Sequence, residues 1–262
     1  MTASDLPPDL RAEIQRKKLV FTVSTGRSGT RYLSFLLSGL PNTDSRHEPE
    51  PNFATVMREV QAHPEKAFAF WREQKLPAIA ATEASIYIET SHLFCKGFFG
   101  PLLELEVRPA LIFLRRNHRD VALSLYRLCT IPGRDEKGLR YYLSPEDPTT
   151  YAPDTWASFH EYQLCYWYVL EIERRDRIYR KIACDYGLDT VVLRFSDLIR
   201  NRVNDMTKVL ELPEVPIIEK YKSRIYKHIR STESFNKKEK KKDRPSKINE
   251  MESEVEHYFA KK

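Results

Sequence analysis

The tightest constraint on this chain is a strand that runs without a break into a glycine turn and then into a helix. Leu19-Val-Phe-Thr-Val23 is short, apolar and β-branched, and Ser24-Thr-Gly-Arg-Ser-Gly-Thr30 follows at once. Tyr32, Leu33, Phe35, Leu36 and Leu37 then form an apolar helical stripe that stops near Gly39 and Pro41. The reading is strand, glycine loop, helix. Such a turn aims several backbone N–H groups and the positive end of a helix at one point, where a phosphate or sulfate fits.

Other segments repeat the alternation. Ala110-Leu-Ile-Phe-Leu114 reads as a buried strand, followed by Arg115-Arg-Asn-His-Arg-Asp120 and a helix from Val121 to about Cys129. Thr190 to Phe195 reads as another, with Ser196-Asp197 and a helix through about Leu210 behind it, and Ile86–Ile88 reads as a fourth. Strands that are apolar throughout and alternate with helices predict a parallel sheet covered on both faces. The expected fold is therefore α/β, a single domain with a central parallel sheet flanked by helices. An extension occupies 1–18, the domain 19–262, a basic loop 237–244 and a last helix 246–260. About Thr155 to Tyr186 reads as one long helix whose aromatic first half (Trp156, Phe159, Tyr162, Tyr166, Trp167, Tyr168) is assigned to core packing. Gly133 to Asp154 reads as a long loop over the active site.

With 41% hydrophobic residues among 262, the chain can build a sizeable core. The net charge of +6 is concentrated at the end, where Lys and Arg outnumber Asp and Glu thirteen to seven between Lys222 and Lys262. That favours an anionic ligand near the C-terminus. Cys95, Cys129, Cys165 and Cys184 are widely spaced without a CxxC, so buried free thiols are expected, with neither a disulfide framework nor a zinc site. Met1 to Lys18 lacks the apolar core of a signal peptide, and no run of about 18 apolar residues exists. A soluble, cytoplasmic protein is expected.

The glycine loop departs from the ATP-binding form GxxxxGK[ST]: two residues separate Gly26 and Gly29, and Arg31 follows Thr30. The Lys-Ser/Thr pair that would hold magnesium is missing, so an anion cradle without a metal is expected. Arg27 is placed to neutralise the bound group. In Arg116-Asn-His-Arg-Asp-Val-Ala-Leu-Ser-Leu-Tyr126, Arg116 ends an apolar strand and Ser124 lies about one turn into the next helix. At the edge of a parallel sheet these two can hold a second phosphate.

This pair of motifs resembles the family of sulfotransferases that use 3′-phosphoadenosine 5′-phosphosulfate (PAPS). In that family [PTG]-[KR]-S-G-T binds the 5′-phosphosulfate and R-N-P-x-D-x-x-x-S-x-Y the 3′-phosphate. Thr25, Gly26, Arg27, Ser28, Gly29, Thr30 and Arg31 stand at or beside the first, and Arg116, Asp120 and Ser124 match the second, with His118 in place of proline. Leu193-Arg-Phe-Ser-Asp-Leu198 is similar to the family's RYEDL element. The resemblance spans about Lys18 to Pro213 and implies a P-loop-like sulfotransferase fold, PAPS as donor and no metal. The C-terminal RKGxxGDWK clamp of the cytosolic branch is absent. Phe235-Asn236-Lys237-Lys238 stands in that region, and Lys237 and Lys238 are expected either to cover the 3′-phosphate or to form a solvated charge run.

Two residues compete as general base. Glu48, in Arg46-His-Glu-Pro-Glu-Pro51, is similar to a glutamate of the carbohydrate and protein-tyrosine branches, and Pro49 and Pro51 stiffen its loop. His92, in Glu89-Thr-Ser-His92, resembles the histidine of the cytosolic branch. His47, Glu50, Tyr142 and Trp156 are candidates for contact with an acceptor, together with Tyr141 and Tyr151. A small-molecule acceptor, such as a bacterial natural product, is expected, with no nucleic acid or membrane partner. A nucleotide kinase and a nucleic-acid binder using the basic tail are the alternatives. The first lacks its magnesium residues, and the second lacks aromatics interleaved with its charges.

Overall fold

In this computed structural model, residues 6–200, 203–213 and 242–260 are described. The chain opens with α1 (Pro8–Gln15), whose Ile14 is buried in the core, and enters β1 (Lys18–Ser24). After the glycine turn come α2 (Thr30–Leu37), β2 (Thr43–Arg46), α3 (Met57–Ala62), α4 (Glu65–Phe70) and α5 (Leu76–Ala80). A π-helical turn, Trp71–Lys75, joins the last two. Then follow β3 (Ile86–Glu89), α6 (Phe99–Glu104), β4 (Ala110–Arg115), α7 (His118–Arg127), α8 (Glu136–Tyr141), α9 (Glu161–Asp185), β5 (Thr190–Arg194), α10 (Phe195–Ile199), α11 (Asn204–Val209) and α12 (Ile248–Ala260).

The five strands form one parallel sheet in the order β2-β3-β1-β4-β5. Alternate residues of β1 feed opposite faces. Leu19, Phe21 and Val23 join a large core with Leu111, Phe113 and α9, whereas Val20 joins a smaller one with Ile88, Ile112, Leu114 and α2. Each such fully buried side chain contributes about 1.5–3 kcal/mol. The expected single α/β domain with a parallel sheet between helices is what forms.

The sheet carries one strand that the sequence reading did not identify. β2 is Thr-Asp-Ser-Arg, a polar run at the sheet edge, and its hydrogen bonds to β3 make it a strand without an apolar signature. Other boundaries shift. α7 starts at His118, because Asn117 accepts a hydrogen bond from the Asp120 N–H and caps the helix. His118 therefore occupies the first helical position, where the family's proline is also well accommodated. The long helix begins at Glu161, not Thr155. His160 caps it reciprocally with Gln163, and Trp156 sits in a separate 3₁₀ turn, Asp154–Ser158. The segment expected to be a loop from Gly133 contains α8, capped by Asp135. The helix behind β5 is broken into α10 and α11, and the last helix starts at Ile248, two residues later than expected. Cys95 and Cys165 are buried free thiols, but Cys129 and Cys184 are exposed. Among the described residues no helix is long and apolar enough to cross a membrane.

Candidate active site

Parallel pairing brings the motifs to one edge. Ser24 registers with Leu114, Phe21 with Glu89, and Arg46 with Glu89, so the segments after β1, β2, β3 and β4 all leave the sheet at its C-terminal end. That is where open α/β sheets bind ligands.

The glycine loop holds its turn with two left-handed residues, Arg27 (φ 67°) and Gly29 (φ 97°), the latter at the N-cap of α2. Gly29 has a second reason to be glycine: a Cβ there would lie 2.7 Å from the Phe195 ring. The Thr25 and Ser28 hydroxyls hydrogen bond to each other across the turn, and Tyr168 accepts from the Gly26 N–H at 3.4 Å. Thr30 is buried at the first turn of α2, and Arg31 points outward, exposed.

The second motif closes on the first. Arg27 Nε donates to Ser124 Oγ at 3.0 Å, and Arg116 donates to the Arg27 carbonyl at 2.9 Å. Arg116 stacks over the Phe195 ring at 4.7 Å, and its Nε is buried with no hydrogen-bond partner among the described residues. A buried guanidinium N–H left unpaired is costly, and an anionic oxygen in the adjoining cleft would satisfy it. That cleft lies at the ends of β1 and β4, lined by Val23, Thr25, Leu114, Arg116, His118 and Glu173 among others. The guanidiniums of Arg27 and Arg116 and the hydroxyls of Thr25, Ser28 and Ser124 thus meet around glycines too tight for a Cβ, an arrangement that fits a ligand with anionic groups at both ends.

The two rival bases are neighbours. Glu48 Oε1 lies 3.3 Å from His92 Nε2 and 4.0 Å from His47 Nε2. His47 is anchored by its Nδ1 on the Thr90 carbonyl at 2.9 Å. Glu48 itself has a positive φ of 50°, and Asn52 Nδ2 donates to its carbonyl at 2.8 Å. His92 is 7% exposed, and its Cε1 is 3.5 Å from the point where a Gly26 Cβ would sit. Burial pushes the His92 pKa well below that of a free imidazole, and the charges of Lys96, His47 and Arg27 push it further. Glu50 is exposed, and its carboxylate accepts from the Asn52 N–H at 3.0 Å. Trp156 is half-buried in its 3₁₀ turn and packs against the large core. Tyr142 is at the site: its ring stacks on His92 at 5.5 Å and would touch a Gly26 Cβ at 2.9 Å. Arg58 fastens this segment by donating to the Tyr142 and Leu139 carbonyls and pairing with Asp147.

Two buried lysines escaped the sequence reading. Lys75 is 1% exposed, pairs with fully buried Glu89 at 2.7 Å, and donates to the Pro51 carbonyl at 2.8 Å. Tyr87 also donates to Glu89. Burial lowers the Lys75 pKa and raises that of Glu89, each opposed by the other's charge. Lys96 is fully buried against His92. The signal for Lys96 was present, as a lone cation in the apolar run Leu93-Phe-Cys-Lys-Gly-Phe-Phe99. Lys237 and Lys238 lie outside the described residues.

Residues 17–262 match the sulfotransferase domain family. The chain belongs to the sulfotransferase family. No curated protein matches it. Sulfuryl transfer is thus the chemistry of this enzyme. Among the described residues no group of His, Cys, Asp and Glu is arranged to hold a metal ion.

Proposed function

We propose that this sulfotransferase moves a sulfuryl group from PAPS to a hydroxyl or amine of a small-molecule acceptor, with Glu48 as general base and His92 as its partner. The observation that carries the reading is the 3.3 Å approach of Glu48 to His92 directly beside Gly26. Bound in the cradle, the donor supplies an activated sulfuryl group. The loop N–H groups, Thr30 and Arg27 hold its 5′ end, and Arg116 and Ser124 hold its 3′-phosphate. In-line transfer of this kind needs position and charge neutralisation more than covalent help from the protein. Charge that develops on the departing oxygen meets the Arg27 guanidinium, which acts as an electrostatic clamp.

Glu48 is suited to receive the acceptor proton. It is partly desolvated, fixed by Asn52 and adjacent to the cradle. His92 is buried and neutral, so it is a poor proton store but a good hydrogen-bond partner. Tyr142, packed over His92 and Gly26, is the proposed wall of the acceptor site, with His47 behind it. Replacing Glu48 by Gln is expected to lower turnover by about 10²-fold, the usual cost of a lost base. Binding of adenosine 3′,5′-bisphosphate should stay within about twofold by calorimetry, because Glu48 lies outside the proposed donor contacts. Unchanged turnover in E48Q would remove the assignment. Stabilisation of the protein by Mg-ATP and not by the bisphosphate would favour a kinase instead.

A further inference from the structure

Lys96 reaches the proposed base through His92. Its Nζ lies 2.8 Å from His92 Nδ1 and also donates to the Tyr141 carbonyl. The rings of Tyr142 and Tyr168 flank it at 5.0 and 5.2 Å. The side chain is 0% exposed, and these contacts are all uncharged or aromatic. An isolated ammonium is expensive in such a place, and burial brings the Lys96 pKa down to about 7. A lysine that only filled space here would be a costly choice, since a methionine offers similar volume without a polar group.

What lysine provides is a donor in either charge state. The Tyr141 carbonyl can only accept, His92 Nδ1 accepts whenever the ring carries its proton on Nε2, and a neutral amine still has two N–H bonds to give them. Neutral His92 has one ring proton to place. With Nδ1 accepting from Lys96, that proton sits on Nε2, the nitrogen that lies 3.3 Å from Glu48 Oε1. The opposite tautomer would set an imidazole lone pair against the Glu48 carboxylate and would require an uncharged Lys96 to accept through its own lone pair.

We infer that Lys96 is a positioning residue that locks His92 in its Nε2-protonated tautomer and so directs one N–H at Glu48. The inference rests on the reading of Glu48 as base only for its catalytic consequence, because the tautomer itself can be read without turnover. His92 cannot then take a proton at Nε2 from an acceptor, and the two candidate bases resolve into a base and its orienting donor.

The test is two-bond ¹H–¹⁵N correlation NMR on ¹⁵N-histidine-labelled protein at pH 7.5, with His92 identified by its loss in His92→Gln. Wild type is expected to show His92 with a protonated Nε2 and an accepting Nδ1. Lys96→Met is expected to lose that pattern, whereas Lys96→Gln, which keeps an amide donor, retains it. Affinity for adenosine 3′,5′-bisphosphate in both variants should remain within about twofold of wild type, which separates a change at His92 from a collapsed fold. A wild-type His92 protonated at Nδ1 overturns the inference with no variant required. So does an unaltered His92 pattern in Lys96→Met. Full activity in Glu48→Gln would sink the base assignment and leave this tautomer result standing on its own.

Discussion

Removing Lys75 tests how the Glu48 loop is held. Its ammonium is 1% exposed, pairs with Glu89 at 2.7 Å and donates to the Pro51 carbonyl three residues beyond Glu48. In Lys75→Met, Glu89 stays fully buried and loses its cation, keeping only the Tyr87 hydroxyl. Its other oxygen, Oε1, already lacks a hydrogen-bond partner among the described residues. Breaking one side of such a pair typically costs about 3–5 kcal/mol. For a chain of this size each kcal/mol lowers Tm by about 2–4 °C, so a fall of roughly 6–20 °C is expected by circular dichroism. The double variant Lys75→Met/Glu89→Leu removes the stranded carboxyl and should recover at least half of that loss, although Tyr87 then needs water. Assayed well below Tm, K75M should also turn over more slowly while binding adenosine 3′,5′-bisphosphate normally, since Lys75 tethers the Glu48 loop and not the glycine loop. A single variant within about 1 kcal/mol of wild type, or a double variant no better than the single, would refute the reasoning.

Two further outcomes follow from the geometry. Gly29→Ala places a Cβ 2.7 Å from the Phe195 ring at a φ of 97°, so bisphosphate affinity should fall at least tenfold in calorimetry while the rest of the sheet stays folded. The pH dependence of stability should carry the mark of Lys96. Unfolded lysine binds its proton below about pH 10.5, but folded Lys96 does so only below about 7. Between those values the unfolded chain holds the extra proton, so this group makes stability rise with pH, by up to about 1.4 kcal/mol per unit, and that contribution should vanish from urea melts of K96M.

Much of the proposed donor cradle is legible because its parts are local in sequence. Thr25 to Thr30 spans the turn between β1 and α2, and Arg116 to Ser124 runs from the end of β4 into α7, so each group is close in sequence. Their direct contact, Arg27 to Ser124, depends on β1 pairing with β4, and the two apolar runs made that pairing reasonable to expect. The proposed base is harder to read. Whether Glu48 and His92 compete or cooperate depends on β2 lying beside β3, and β2 is a polar edge strand with no hydrophobic alternation to betray it. Trp156 was misplaced because helix periodicity continues through Thr155–His160, and only the His160–Gln163 cap shows where the helix begins. Nothing in Trp71-Arg-Glu-Gln-Lys75 marks Lys75 as buried, whereas the apolar run around Lys96 hints that it is.

The central claim is that one pocket grips an adenosine bisphosphate at both ends without a metal. Calorimetric titration of adenosine 3′,5′-bisphosphate into the protein in EDTA, beside Arg116→Ala, tests it most directly. Tight uptake by the wild type is predicted, weakened about 10–150-fold when Arg116 and its charge-assisted hydrogen bonds of about 1.5–3 kcal/mol are removed. No heat of binding in the wild type, or equal affinity in the variant, would contradict it.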